Sequence, residues 1–475
     1  MKMQVPKAED RIAILLMVVL ALPVFYFSLL VPFETDTGDS VVHYFFARYA
    51  FQNTMLFFDH WAKPFFTLLA SPFARFGFAG MKLFNGLAGL LSAWIAYCIA
   101  KKLDLKFPWL AIILVLFAPA YFVKLFSGYT EPLFGLILIA SVYLVLIRRP
   151  FPAALLLSFL PFVRSEGLIL LIVFAFYFLL QKNFKAILLL ATGHIAYSLA
   201  GLISGKSLLW IFTEIPYHVV STYGKGNFSH YPQQLMLTLG VPVFLLCICG
   251  IVFQLLGMVY PKIQVNSTSK TEVNILILGS FLAYFLFHVM SWGFGLFGSA
   301  GLSRVLTAMV PLLGVISLIG FNFLIGWKYK SSLPLHAFIY VPVIAYILIF
   351  PFLSNPASIN REKDLQRSGE MKLMHKIASN INKQYSGKFL YYSNPYLSYA
   401  LNINPFDQTK HLCFTDWKSR KIVQPNSLVI WDNWFSVTEE HTDSTTLLQN
   451  PDLRLLGRYK TEEAETKTVF LVFAN

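Results

Sequence analysis

Apolar runs of roughly bilayer length alternate with short polar breaks along the first 350 or so residues. A helix that crosses a bilayer needs about 20 predominantly apolar residues. On that pattern spans are expected near 12–32, 80–100, 108–125, 132–147, 150–163, 165–181, 186–205, 233–257, 273–292, 304–325 and 335–353, about eleven in all. Beyond residue 355 the pattern changes. A polar, partly amphipathic helix is expected over 361–385, then strands over GKFLYYS, NSLVIW, LRLLGRY and KTVFLVF, with a helix after Asn394-Pro395. The expected fold is therefore mainly α: a polytopic membrane module over 1–355 with a long outer loop at 33–79, and a small α/β domain over 356–475.

Composition agrees with lipid as the solvent. The 475 residues are 56% hydrophobic and only 13% charged, against roughly 25% charged for a soluble domain. The net charge of +14 does not point to nucleic acid, because it is unevenly placed. Residues 355–475 hold 15 Lys+Arg and 13 Asp+Glu, whereas residues 1–354 hold 23 and 11. The excess belongs to the membrane part, where basic loops set orientation and meet anionic lipid.

With the N-terminus inside, short inner loops receive Lys2, Lys7, Arg11, Lys101, Lys102, Lys106, Arg148, Arg149, Lys182, Lys185, Lys262, Lys270, Lys328 and Lys330. This predicts a multi-pass plasma membrane protein with a cytoplasmic N-terminus and an extracytoplasmic C-terminal domain. The run from Ile12 to Phe33 is too long for a signal-peptide core and reads as a retained span. Cys98, Cys247, Cys249 and Cys413 form no CxxC and no zinc spacing. Asn266-Ser267-Thr268 matches a glycosylation sequon but falls on the inner side.

The acids separate by side. Glu34, Asp36, Asp39, Asp59, Glu131, Glu166 and Glu214 fall outside or at outer span ends. Charged groups at membrane depth are costly and tend to mark function. In the first outer loop, Ser40 is a plausible N-cap for a helix running to about Asn53. That helix puts Asp39 and His43 on one face. Arg48, Asp59, His60 and Lys63 follow within thirty residues, interleaved with aromatics.

The pattern Gly38-Asp39-Ser40, His43-Tyr44 and then Trp61-Ala62-Lys63-Pro64 resembles the first outer loop of the GT-C superfamily of integral membrane glycosyltransferases. That superfamily includes protein O-mannosyltransferases, GPI mannosyltransferases and aminoarabinose transferases. Where many members carry an Asp-Glu pair, this chain has Asp39-Ser40, so Glu34 or Asp36 is left to supply a second carboxylate. Thr130-Glu131-Pro132, Arg164-Ser165-Glu166-Gly167 and Arg304 with Pro311 resemble later elements of the same families.

The resemblance implies an inverting transfer of a hexosyl or mannosyl-type sugar. The donor would be a polyprenyl-phosphate sugar, the acceptor a hydroxyl of a lipid, glycan or protein at the outer face. Such a donor leaves as a phosphate anion, so the chemistry needs a base for the hydroxyl and cations for the phosphate. Asp39 is the candidate base, with Asp36, Glu34 and Glu131 as further candidate catalytic carboxylates. His43, Arg48, Lys63, Arg164, Glu166, His230 and Arg304 are candidate substrate-binding residues. No cofactor is obligatory, although Asp36 and Asp39 with a histidine could hold a divalent cation.

Plainer readings stand beside these. Arg164 and Glu166 could simply pair, Arg304 could be a snorkelling helix-end residue, and Glu131 could be an N-terminal acid favoured by the helix dipole. His194 and His288 read as packed structural groups. The outer loop 206–232 is either a lid or a connector. Asn394, Asp432 and Trp434 sit at strand ends, as a cap or as acceptor contacts. The rival class is a polyprenyl-lipid flippase or secondary transporter, which would show inverted repeats and midplane charges. A binding subunit that has lost activity is a third reading.

Overall fold

The structure is a computed structural model that describes residues 8–216, 219–259, 270–326, 333–414, 424–461 and 467–475. Lys2, Lys7, His218, Lys262, the Asn266 sequon, Lys328 and Lys330 lie outside the described residues. The chain divides into two compact units, Met1–Val31 with Phe46–Asn360, and Pro32–Phe45 with Arg361–Asn475.

The larger unit is helical. It begins with α1 (Ala8–Leu29), whose first turn carries Glu9 and Asp10, favourable to the helix dipole. The helix α2 (Asp39–Tyr49) crosses from the second unit into the first. Then come α3 (Pro64–Ala74), α4 (Phe78–Lys102), α5 (Leu110–Leu116) and α6 (Pro119–Lys124). The break between α5 and α6 falls at Pro119, which has no N–H to continue a helix.

Next are α7 (Glu131–Leu146), α8 (Pro150–Leu157), α9 (Gly167–Leu180), α10 (Phe184–Leu189) and α11 (Thr192–Ile203). After these come α12 (Trp210–Thr213), α13 (His230–Leu239) and α14 (Val241–Val259). The short α15 (Lys270–Glu272) continues through a π-helical stretch, Val273–Gly279, into α16 (Ser280–Phe294). A 3-10 turn, Ser303–Met309, leads into α17 (Val310–Gly326), and α18 (Leu333–Ile349) ends the unit.

Among the described residues six helices are long and apolar enough to cross a membrane, and five shorter apolar helices accompany them. Prolines and tight turns divide several expected spans, which is why fewer than eleven meet the full length. The helices expose many large apolar side chains, among them Leu22, Ile172, Leu188 and Ile203. A water-soluble core would not leave such faces uncovered.

Polar contacts in this unit fall into two sets. One joins Lys101 to Asp10, Arg148 to Glu272 at 2.9 Å, and the Lys106 amide to Asn322 Oδ1 at 2.7 Å. The other joins Lys63, Glu131, Arg164, Glu166 and Arg304. The loop-charge pattern put the first set on one side of the membrane and the second on the other.

In the second unit α19 (Arg361–Asp364) and α20 (Gly369–Gln384) replace the single helix expected over 361–385. Ser368 starts α20 by accepting a hydrogen bond from the Met371 amide. The strands are β1 (Phe389–Tyr392), β2 (His411–Leu412), β3 (Ser427–Asp432), β4 (Arg454–Lys460) and β5 (Val469–Ala474), in sheet order β2-β1-β3-β5-β4. β1 lies parallel to β2 and β3, while β5 is antiparallel to β3 and β4. α21 (Pro395–Leu401) follows β1, capped by Asn394, and α22 (Ser444–Leu448) follows β3. Tyr391, Val429, Trp431, Leu471 and Phe473 are among the core side chains on one face of this sheet.

Candidate active site

Five candidate residues come together in the helical unit. Asn85, buried in α4, donates Nδ2 to the carbonyls of Ser127 (2.7 Å) and Tyr129 (2.8 Å). That fixes the loop entering α7, where Pro132 starts the helix and Glu131 sits in its first turn. Gly135 lets α7 approach the 3-10 turn closely: a Cβ there would lie 2.8 Å from the Ala308 carbonyl oxygen. That turn carries Arg304. Likewise a Cβ on Gly167 would lie 2.6 Å from Leu160 backbone, so glycine closes the turn bearing Arg164 and Glu166.

The result is a buried charged cluster. Arg164 Nη1 lies 2.8 Å from Glu131 Oε1, and Arg164 Nη2 donates to Glu166 Oε1 at 2.7 Å. Arg304 Nη1 stands 3.7 Å from the same Glu131 oxygen, with its guanidinium 4.2 Å from the Tyr129 ring centroid. Lys63 Nζ donates to Ser165 Oγ at 2.9 Å. Its backbone takes φ +67° ahead of Pro64, a left-handed conformation that costs a non-glycine residue energy and recurs at functional sites. The side chain of Glu131 is 1% exposed, yet neither carboxylate oxygen has a hydrogen bond of normal geometry among the described residues. The close approach of Arg164 is ionic, at an angle outside hydrogen-bond range. Among the described residues Arg164 Nε and His288 Nε2 are also buried without a hydrogen bond.

His288 is the member that reading the sequence as packing missed. Its Nε2 is 3.5 Å from Glu166 Oε1, and its ring packs on Tyr284 and Tyr231. The signal was an ionisable group inside an apolar run. Tyr129 was missed too, since only its partner Arg304 carries charge. His230 Nε2 is 2.7 Å from the Gly301 carbonyl oxygen, three residues before Arg304. The 206–232 loop is anchored nearby. The Ser221 amide donates to the Gly295 carbonyl at 2.9 Å and the Phe297 amide to that of Val219 at 2.9 Å. Arg48 sits at the end of α2 against Tyr49.

Glu34, Asp36, Asp39 and His43 belong to the second unit, not to the helical unit into which the 33–79 loop was placed. Glu34 is 2% exposed. It takes two hydrogen bonds from Arg367, at 2.9 and 3.1 Å, and one from the Tyr396 hydroxyl at 2.5 Å. Burial pushes its carboxyl pKa up, but the Arg367 and Tyr396 hydrogen bonds outweigh this and hold it below the ordinary value.

Asp36 Oδ1 accepts from the Gly38 and Ser40 amides at 2.9 and 3.1 Å. It therefore initiates α2, which starts at Asp39, one residue before the Ser40 cap expected from sequence. The cap moved because the aspartate three residues upstream reaches the free amides. Asp39 is half-buried in the first turn, and His43 is buried one turn on. Among the described residues no group of three or more His, Cys, Asp or Glu side chains is arranged to hold a metal ion.

In the same unit Asp432 is buried at the end of β3 and takes the Trp434 and Phe435 amides at 3.0 and 2.7 Å. Asn394 is buried as the cap of α21, while Trp434 is exposed. Burial, with Asp432 nearby, pushes the Glu370 carboxyl up to about 7.

The architecture built above, a polytopic helical unit followed by a small α/β unit, is shared with proteins of known structure. The chain is similar to ArnT from Cupriavidus metallidurans, solved in the apo state and bound to undecaprenyl phosphate. In both cases the identity is 12%, 97% of each chain is covered, and the TM-score is 0.60. It is also similar to arabinofuranosyltransferase AftD from mycobacteria, at 12% identity and a TM-score of 0.51, over 99% of this chain and 40% of that one. At such identity the likeness is one of fold. No protein-family model and no curated protein sequence matches the chain.

Proposed function

We propose that this protein is a glycosyltransferase that moves a sugar from a polyprenyl-phosphate-linked donor to an acceptor hydroxyl at the outer face of the membrane. The observation that carries the reading is the sharing of Glu131 by Arg164 and Arg304, with its carboxylate oxygens buried and, among the described residues, not hydrogen-bonded. Buried charges left with incomplete hydrogen bonding cost several kcal/mol. Such a cost is offset when the hydroxyl donors of a sugar complete the Glu131 carboxylate. Two arginines and Lys63 against Glu131 and Glu166 leave a positive balance suited to an anion. Arginine forks suit the oxygens of a phosphate in particular. ArnT, of the same fold, has been solved with undecaprenyl phosphate, a lipid of this chemistry.

In this reading the acceptor oxygen attacks the anomeric carbon as the bond from that carbon to the phosphate oxygen breaks. The phosphate leaves as an anion, and Arg164 and Arg304 stabilise the growing charge. Asp39, assigned from the motif Gly38-Asp39-Ser40, takes the proton of the acceptor hydroxyl. One displacement inverts the anomeric carbon. The transferred sugar is of hexosyl or mannosyl type, and no metal ion is obligatory. The reading carries eleven crossings, a cytoplasmic N-terminus and an extracytoplasmic C-terminal unit.

The test is sugar transfer by purified protein in lipid vesicles from a panel of undecaprenyl-phosphate sugars, comparing wild type with Asp39→Asn. Transfer that disappears in a folded, donor-binding variant supports the enzyme and its base. Movement of lipid across the bilayer without turnover of any donor would replace this reading by a flippase.

A further inference from the structure

The segment that carries Asp39 is held on both sides by one short helix. Before Asp39, Glu34 is bound by Tyr396 of α21 and by Arg367. After it, Tyr44 packs edge-on against Tyr399 of α21, ring centroids 6.1 Å apart. Tyr396 and Tyr399 lie three residues apart, on one face of that helix. His375 of α20 backs the arrangement, with Nε2 3.2 Å from the Tyr396 hydroxyl and its ring against both tyrosines. Between the two grips little slack remains. Asp36 ties the Gly38 and Ser40 amides, the Val41 and Val42 amides both bond the Gly38 carbonyl at 3.0 Å, and Gly38 faces the Phe435 ring. Ser40 and Val41 are fully buried.

Burying a carboxylate is expensive unless it is paired and hydrogen-bonded. Glu34 meets that condition with three partners, Arg367, Tyr396 and Tyr399. A catalytic base must sit within hydrogen-bond reach of the proton it takes, and a displacement of about 1 Å can cost on the order of a hundredfold in rate.

We propose that Arg367, Tyr396 and Tyr399 are positioning residues that set the placement of Asp39 through a two-point grip on residues 34–44, with Glu34 serving as the anchor and not as a second catalytic carboxylate. The catalytic meaning of the grip rests on the transferase reading above, whereas the grip itself does not.

Two measurements on the full-length protein in lipid nanodiscs test this. The first is hydrogen exchange of the amides of 36–45, in wild type, Tyr396→Phe and Arg367→Lys. The second is transfer kinetics from the donor panel, alongside binding of undecaprenyl phosphate. Faster exchange confined to 36–45, a fall in kcat of about tenfold or more, and unchanged undecaprenyl phosphate affinity are expected. Unchanged exchange overturns the grip. Faster exchange with normal kcat overturns the positioning role and leaves a purely structural anchor. If Asp39→Asn is as active as wild type while Tyr396→Phe is slow, the base assignment fails and the grip positions another group of the segment. If no donor turns over, the transferase reading fails, and the exchange measurement alone decides whether α21 holds the segment. Tyr396→Phe removes a single hydroxyl, and Arg367→Lys reports the same outcomes should the phenylalanine variant not fold.

Discussion

Arg164 Nη1 stands 2.8 Å from Glu131 Oε1, joining the turn between α8 and α9 to the first turn of α7 inside a buried cluster. Arg304 approaches the same oxygen at 3.7 Å but rests on the Tyr129 ring. The two arginines therefore do different work. Arg164 also holds Glu166, so Arg164→Ala strands two carboxylates and should destabilise the protein by about 3–5 kcal/mol. Arg304→Ala should keep the fold and weaken undecaprenyl phosphate binding by tenfold or more, with Arg304→Lys in between because lysine lacks the planar fork. Thermal unfolding in detergent and lipid binding, measured on both variants, separate the roles. Equal loss of binding and equal loss of stability in both would sink the distinction.

Two carboxyls in the second unit should give opposite pH signatures. Burial raises the Glu34 pKa, but its Arg367 and Tyr396 hydrogen bonds bring it below 4.5. Its contribution is complete above about pH 4.5 and is lost as pH falls through the lower folded value. Thermal stability should therefore drop with acid in wild type, and the drop should be smaller in Glu34→Gln, which starts less stable. Glu370 behaves conversely. Burial and nearby Asp432 raise its pKa to about 7 in the folded protein, from 4.5. Its contribution is present below pH 4.5 and is lost as pH rises through about 7. Glu370→Gln should raise the unfolding free energy at pH 8 by on the order of 2 kcal/mol, seen as a higher melting temperature, and the gain should vanish near pH 4. A pH-independent effect of the glutamine would refute the assigned cause.

Much of this was legible in the sequence. Apolar runs located the helices, and the tail's alternation located β1, β3, β4 and β5. Glu131, Arg164, Glu166 and Arg304 could be picked out because charge in an apolar context is rare and costly. The two-residue strand β2 was missed, since His411–Leu412 is too short to show a period. The partners of Glu34 were not legible either. Arg367 and Tyr396 lie more than 330 residues away in the chain, and no local pattern predicts such a meeting. For the same reason the sequence alone offers Glu34 as a candidate second carboxylate without showing the groups that bind it.

The loops near Arg304 make a steric prediction. Gly226 and Gly301 face Trp292: a Cβ on Gly226 would lie 1.9 Å from the indole Nε1, and one on Gly301 would lie 2.7 Å from Cε2. The same loops are tied by the Gly226 amide to the Trp292 carbonyl at 3.0 Å and by Ser221 Oγ to the Ser299 carbonyl at 2.7 Å. Gly226→Ala must therefore push the indole or part the loops, an overpacking cost of about 1–3 kcal/mol. Because Arg304 follows Gly301 by three residues, the displacement should reach Arg304 and, on the proposed function, weaken undecaprenyl phosphate binding. Gly224 offers the control within one loop. It has φ +83° but open space where a Cβ would stand, so Gly224→Ala carries backbone strain of about 1 kcal/mol and no clash. Limited proteolysis within 219–229 and lipid affinity should both change in Gly226→Ala and stay near wild type in Gly224→Ala. If Gly224→Ala perturbs affinity as much, backbone strain and not the Trp292 clash governs this rim.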